Sequence, residues 1–137
     1  MRDLFVNTAR SFIFSCALAP AQVQAARASL RLIDEEPWRR ERLDANCDRL
    51  RERLGTHGIS TDPSTTHILP VVIGENAKTM ATCESLLERG YYAQGIRHPS
   101  VPEGTARLRI TPMATHSEEE IDGSADTIAD LLSEAPA

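Results

Sequence analysis

The chain has 137 residues, a formal net charge of −5 and only 4% aromatic residues, which fits one domain with a core built mainly from Leu, Ile, Val and Ala. The acidic balance gives no reason to expect nucleic acid or an anionic membrane as a partner. No 18-residue apolar run occurs and no charged segment leads into an apolar one, so neither a transmembrane helix nor a signal peptide is expected. Three widely spaced cysteines, Cys16, Cys47 and Cys83, lack metal-ligand spacing and read as free thiols of a reducing cytoplasm. His57, His67 and His116 share no spacing with Cys, Asp or Glu that would suggest a metal site.

In chain order, residues 1–8 read as the tail of a helix and Ser11 to Cys16 as a short apolar, β-favouring run. Pro20 suits the first turn of a helix, and Val23, Ala26, Leu30 and Ile33 follow at helical spacing. Pro37 restarts the chain as a second helix, with Trp38, Leu43, Cys47, Leu50 and Leu54 as its apolar stripe and Gly55 as its stop. The charges of that helix, Arg39 through Glu52, read as a solvated face. From His67 the pattern changes to a compact α+β unit. Ile68 to Ile73 is a strand whose Pro70 argues for an edge position or a bulge. Lys78 to Arg89 is a helix closed by Gly90, and Tyr92 to Ile96 and Arg107 to Thr111 are two more strands. Ser117-Glu118-Glu119-Glu120 opens a last helix with a capping-box pattern. Its buried stripe is Ile121, Ala125, Ile128, Leu131 and Leu132, Gly123 weakens it slightly, and residues 134–137 form a frayed end. The order β-α-β-β-α with short links favours an antiparallel sheet covered by helices, an α+β fold.

The chemistry concentrates in Gly95-Ile96-Arg97-His98-Pro99-Ser100-Val101-Pro102-Glu103-Gly104-Thr105-Ala106-Arg107-Leu108-Arg109-Ile110-Thr111. It reads as a short strand, a rigid Pro/Gly loop and a second strand. Each proline fixes φ and removes a donor, while Gly104 permits backbone angles closed to other residues. Alternation puts Arg107 and Arg109 on one face of the strand and Leu108 and Ile110 on the other. A guanidinium beside a rigid loop suits bidentate grip on a carboxylate or phosphate. The same spacing also fits two surface arginines in ordinary ion pairs.

These residues resemble the C-terminal signature of the α-oxoamine synthases, pyridoxal-phosphate enzymes that condense an amino acid with an acyl thioester, in the wording of the family's biotin-pathway branch. Two further segments resemble the family in the right order. Residues Asn7-Thr8-Ala9-Arg10-Ser11-Phe12-Ile13-Phe14-Ser15-Cys16-Ala17-Leu18-Ala19-Pro20 are similar to the segment after the catalytic-lysine region. The stretch His67 to Asn76, with Ile-Leu-Pro-Val-Val-Ile-Gly-Glu-Asn, matches the first strand of the small domain. Together they cover nearly the whole chain.

The resemblance implies a division into residues 1–60, the end of a large domain with linking helices, and residues 61–137, the C-terminal small domain of a fold-type-I enzyme. It implies a cytoplasmic homodimer with pyridoxal 5′-phosphate as cofactor and amino-acid and acyl-thioester substrates. The branch joins L-alanine to a pimeloyl thioester with release of CO2, while siblings take glycine or serine. Arg109 corresponds to the arginine that binds the amino acid's α-carboxylate, and Arg97 and Ser100 line the substrate entrance. His98 replaces a common proline in that loop and reads as an exposed loop histidine. Ser15 corresponds to a hydroxyl that reaches the cofactor phosphate of the neighbouring subunit, or alternatively caps the helix beginning near Pro20; Cys16 stands where many relatives have threonine. Lys78 is the only lysine in the chain. Such a cofactor needs a lysine for its Schiff base, and Lys78, at the start of a helix, reads as a solvated surface lysine, so the chain alone is expected to be inactive. The reading from another class is a stand-alone module that binds a carboxylate effector at Arg109. A partner is then needed for the apolar segment from Phe12 to Leu18.

Overall fold

The computed structural model describes residues 1–16 and 18–134, and the chain divides into two compact units, Met1–Pro37 and Trp38–Ala137. The first unit holds three helices: α1 (Arg2–Thr8), α2 (Arg10–Ile13) and α3 (Pro20–Glu35). Ser11 to Cys16, expected as β-favouring, instead begins inside α2. Ile13 N–H donates to Ala9 O at 3.0 Å and Phe14 N–H to Arg10 O at 3.1 Å. With no strand among the described residues of this unit, local helical bonds are what satisfy the backbone. Pro20 takes the first helical position as expected. None of the three helices contributes a buried residue. The stripe Val23, Leu30 and Ile33 is exposed, as are Leu4, Phe5, Phe12, Ile13 and Phe14.

The second unit has its own core. It runs α4 (Trp38–Thr56), β1 (Leu69–Gly74), α5 (Asn76–Glu88), β2 (Gln94–Ile96), β3 (Ala106–Ile110) and α6 (Glu118–Glu134). The sheet is antiparallel in the order β1-β3-β2, so Pro70 does lie on an edge strand. Leu69, Val71, Leu108 and Ile110 alternate onto one face, where they join Leu50 and Leu54 of α4, Leu86 of α5 and Ile121, Ala125 and Ile128 of α6. Helices α4 and α6 pack on each other. Thus α4, expected among the linking helices of residues 1–60, shares the core of the second unit through Cys47, Leu50 and Leu54.

Helix α4 does not stop at Gly55. Gly58 is the residue at positive φ (+73°); Ile59 N–H donates to Leu54 O at 3.0 Å and Gly58 N–H to Gly55 O at 2.9 Å. That is the Schellman pattern, with Ile59 folding back onto the core. Helix α5 ends the same way at Gly90, as expected, with Tyr91 N–H donating to Leu86 O at 2.9 Å. The capping box also forms: Glu120 N–H donates to Ser117 Oγ at 3.2 Å and Ser117 N–H to Glu120 Oε2 at 2.7 Å. The frayed end expected over 134–137 lies, from residue 135 on, outside the described residues.

The charged face of α4 is only partly solvated. Arg49 pairs bidentately with Asp122 of α6, Nε–Oδ1 and Nη2–Oδ2 both 2.7 Å. One turn on, Arg53 pairs with Asp126 at 2.8 Å through both oxygens, and His57 Nε2 stands 2.9 Å from Asp126 Oδ1. These donors pull the Asp126 carboxyl down to about 2, Arg53 first and His57 second. Asp122 is likewise lowered by its bond to Arg49.

Candidate functional site

Strand β3 sits in the middle of the sheet, so its outward side chains are flanked on both sides. Arg109 pairs in register with Pro70 of β1 and Gln94 of β2, and Arg107 with Val72 and Ile96. Alternation delivers what the sequence requires: Leu108 is fully buried against the helices, while Arg109 is exposed and Arg107 half-buried on the opposite face.

On that outer face the two arginines line a groove of about 350 Å³. Its floor is Ile68, Pro70 and Ile96, and its wall is the loop carrying Pro63, Ser64 and Thr66. No acidic residue lines it. Among the described residues Arg109 has no hydrogen-bond or ion-pair partner. Its five donors and its charge are therefore uncommitted, an arrangement suited to an incoming carboxylate. Arg107 differs: its Nε donates to Thr105 O at 3.0 Å. Thr105 in turn donates to Pro102 O through both N (3.2 Å) and Oγ1 (2.7 Å). Arg107 thus braces the exit of the loop.

The wall is braced by hydroxyls. Ser64 Oγ donates to Ile68 O and accepts from Thr66 N–H at 3.3 Å. Thr66 Oγ1 accepts from Ile68 N–H at 3.2 Å, and Arg51 of α4 donates to Thr66 O. Sequence reasoning passed over this wall. The available signal was the run Ser60-Thr61-Asp62-Pro63-Ser64-Thr65-Thr66, dense in turn-forming residues directly before a strand.

The other expected site residues are placed elsewhere. Arg97 and Ser100 are exposed on the loop between β2 and β3, outside the groove lining, and Ser100 N–H donates to Arg97 O at 2.9 Å. Ser15 belongs to the first unit, where its Oγ donates to Phe12 O at 2.9 Å. It does not cap α3, whose N-cap is Ala19 with no side-chain bond. Lys78 lies in the first turn of α5 and does not line the groove.

A larger cavity of about 500 Å³ opens on the helix side, among Leu50, Leu86, Tyr91, Ile121 and Ile128. Its lining is mostly apolar and includes no lysine or arginine. Of its lining groups, His116 accepts from Met113 N–H (3.2 Å) and Glu120 from Ser117 N–H (2.7 Å). Of these two cavities, only the smaller groove is lined by guanidinium groups, those of Arg107 and Arg109.

A model of the aminotransferase class I and II family matches residues 1–128. A putative 8-amino-7-oxononanoate synthase of Geobacillus kaustophilus is 45% identical over 127 residues, 93% of this chain and 33% of its own. The 8-amino-7-oxononanoate synthase of Methylococcus capsulatus is 44% identical over 130 residues, 95% of this chain and 34% of its own. Among solved structures, serine palmitoyltransferase of Sphingomonas wittichii superposes with a TM-score of 0.84 at 26% identity, over 95% of this chain and 33% of that one. Another structure with the same TM-score is of SPT with its PLP internal aldimine. The chain spans about a third of the length of the curated relatives it matches.

Proposed function

The chain belongs to the aminotransferase class I and II family, and from that premise we propose that it is the C-terminal portion of a pyridoxal-phosphate-dependent acyltransferase. The reaction is the condensation of L-alanine with a pimeloyl thioester to 8-amino-7-oxononanoate and CO2, a step of biotin biosynthesis. In this reading residues 61–137, with α4 packed on them, are the C-terminal small domain of a fold-type-I enzyme, and residues 1–37 continue a large domain. The full protein is a cytoplasmic homodimer. The observation that carries the reading is Arg109, exposed in a groove without acidic residues and without a partner among the described residues.

The role follows from geometry. A guanidinium offers two parallel N–H groups to one carboxylate, so it fixes the rotation of the amino acid as well as its position. Strand β3 holds Arg109 rigidly because its neighbours Leu108 and Ile110 are locked in the core. Arg97 and Ser100 flank the entrance from the loop, and the Ser15 hydroxyl serves the cofactor phosphate by releasing Phe12 O. The residues present do not fit covalent attachment of the cofactor, because Lys78 is the only lysine and stands away from the groove lining. In this reading the imine-forming lysine belongs to the part of the relatives' length that this chain does not span.

Incubating the 137 residues with pyridoxal phosphate is expected to give no saturable imine at Lys78, any adduct trapped by borohydride there rising in proportion to the reagent as it does for an ordinary surface lysine. L-alanine and pimeloyl thioester are expected to remain unconsumed. Product formation by these residues alone would overturn the expectation that they are inactive without the rest of the enzyme. The likeness to serine palmitoyltransferase favours a second reading, a sibling that takes serine; 5-aminolevulinate synthase and 2-amino-3-ketobutyrate ligase, which take glycine, are further siblings. Competition among alanine, serine and glycine on the complete protein separates them. Against the stand-alone carboxylate-binding module stands the exposed apolar surface of Phe5, Phe12, Ile13 and Phe14.

A further inference from the structure

The loop between β2 and β3 opens at Arg97, whose guanidinium turns to α5: its Nη1 donates to Met80 Sδ at 3.2 Å. The same sulfur stands 3.1 Å from where a Cβ would lie on Gly95, and Cys83 Sγ stands 3.0 Å from that point. Two sulfurs, three residues apart on α5, therefore close over the backbone just before Arg97. A Cβ at Gly95 would press on both sulfurs, so the glycine leaves the room in which they lie against β2. The Met80 thioether, on an otherwise flexible side chain, is held there by its contact with Arg97.

A thioether is a weak, uncharged acceptor. It orients a guanidinium while leaving the remaining N–H groups and the positive charge available, whereas a carboxylate in its place would take up both. No ion pair to Arg97 exists among the described residues. We propose that Met80 is a positioning residue for Arg97, holding its guanidinium through an uncharged N–H···S contact so that it meets a substrate carboxylate at the loop entrance with undiminished charge. The proposal rests on the reading of Arg97 as substrate-binding.

The test is an NMR titration of the 137-residue chain with a free C7 dicarboxylate, following the Arg97 Nε–H signal and the amides of residues 98–105. Met80→Leu keeps the volume and removes the acceptor, and is expected to weaken binding about threefold, the size of one weak orienting hydrogen bond. Met80→Gln restores a neutral acceptor and is expected to return the affinity to within about twofold of the parent. Met80→Glu neutralises Arg97 and is expected to weaken binding by about tenfold or more. Arg97→Ala is expected to abolish the saturable shifts. If Arg97→Ala weakens binding while the Leu and Glu variants bind as the parent does, Met80 positions nothing and the reading of Arg97 survives. If Leu and Gln weaken binding equally, Met80 acts by packing and the proposal fails. If Arg97→Ala binds as the parent does, the reading of Arg97 fails and the proposal with it.

Discussion

Replacing Gly123 with alanine tests the packing of α6 on the residue that closes α5. In an ordinary helix interior the change would stabilise by about 1 kcal/mol, because alanine has the higher helix propensity. Here the Tyr91 hydroxyl occupies the space a Cβ would take, with ring Cζ 3.5 Å from it. Swinging Tyr91 aside would give up the packing of its ring against the core. Overpacking of this kind costs about 1–3 kcal/mol, so the net effect expected is a destabilisation of about 1 kcal/mol, the overlap exceeding the propensity gain. Tyr91→Phe removes the overlapping oxygen and leaves ordinary contact to the ring. In that background Gly123→Ala is expected to stabilise by about 1 kcal/mol, a coupling of about 2 kcal/mol between the two sites. Native-state hydrogen exchange of the β3 amides, read across the four proteins of the cycle, measures it within the second unit. If Gly123→Ala stabilises equally in both backgrounds, Tyr91 moves freely and the packing argument is wrong.

Adjacent residues of β3 are expected to separate stability from function. Leu108→Ala should cost about 2–5 kcal/mol by the same exchange measurement, as a fully buried leucine does. Arg109→Ala should stay within about 0.5 kcal/mol of the parent, since it has no structural partner to lose. Acid sensitivity of the α4–α6 seam follows from Asp126, whose folded-state carboxyl lies at about 2 against about 3.9 unfolded. The depressed value means its contribution is present above the unfolded pKa and is lost as pH falls from about 4 toward 2. Asp126→Asn should flatten that part of the pH–stability profile; an unchanged profile would show that the pair adds nothing.

What was legible in the sequence was local. The capping box of α6, the Gly90 stop and Pro20 at the head of α3 each depend on residues within one turn. The alternation of β3 was legible because an Arg-x-Arg strand with apolar partners leaves one workable face assignment. The Gly55/Gly58 choice went to the later glycine because Ile59, and not the residue after Gly55, folds back onto the core, a tertiary fact. The Arg49–Asp122 and Arg53–Asp126 pairs join residues 73 apart. Their signal was a matched i,i+4 spacing on two helices, visible only once the helices are known to face each other. Ser11 to Cys16 misled because β propensity presumes a neighbouring strand. In the site, Arg109 was legible from its loop and strand, whereas the Ser64–Thr66 wall required the fold.

The most direct measurement is condensation of L-alanine with a pimeloyl thioester by a chimera in which this chain replaces the matching third of the Methylococcus capsulatus synthase. The account predicts 8-amino-7-oxononanoate by mass spectrometry from the chimera, and loss of alanine binding from its Arg109→Ala variant while pyridoxal phosphate stays bound. A chimera that turns over alanine with an unchanged KM after Arg109→Ala would contradict it.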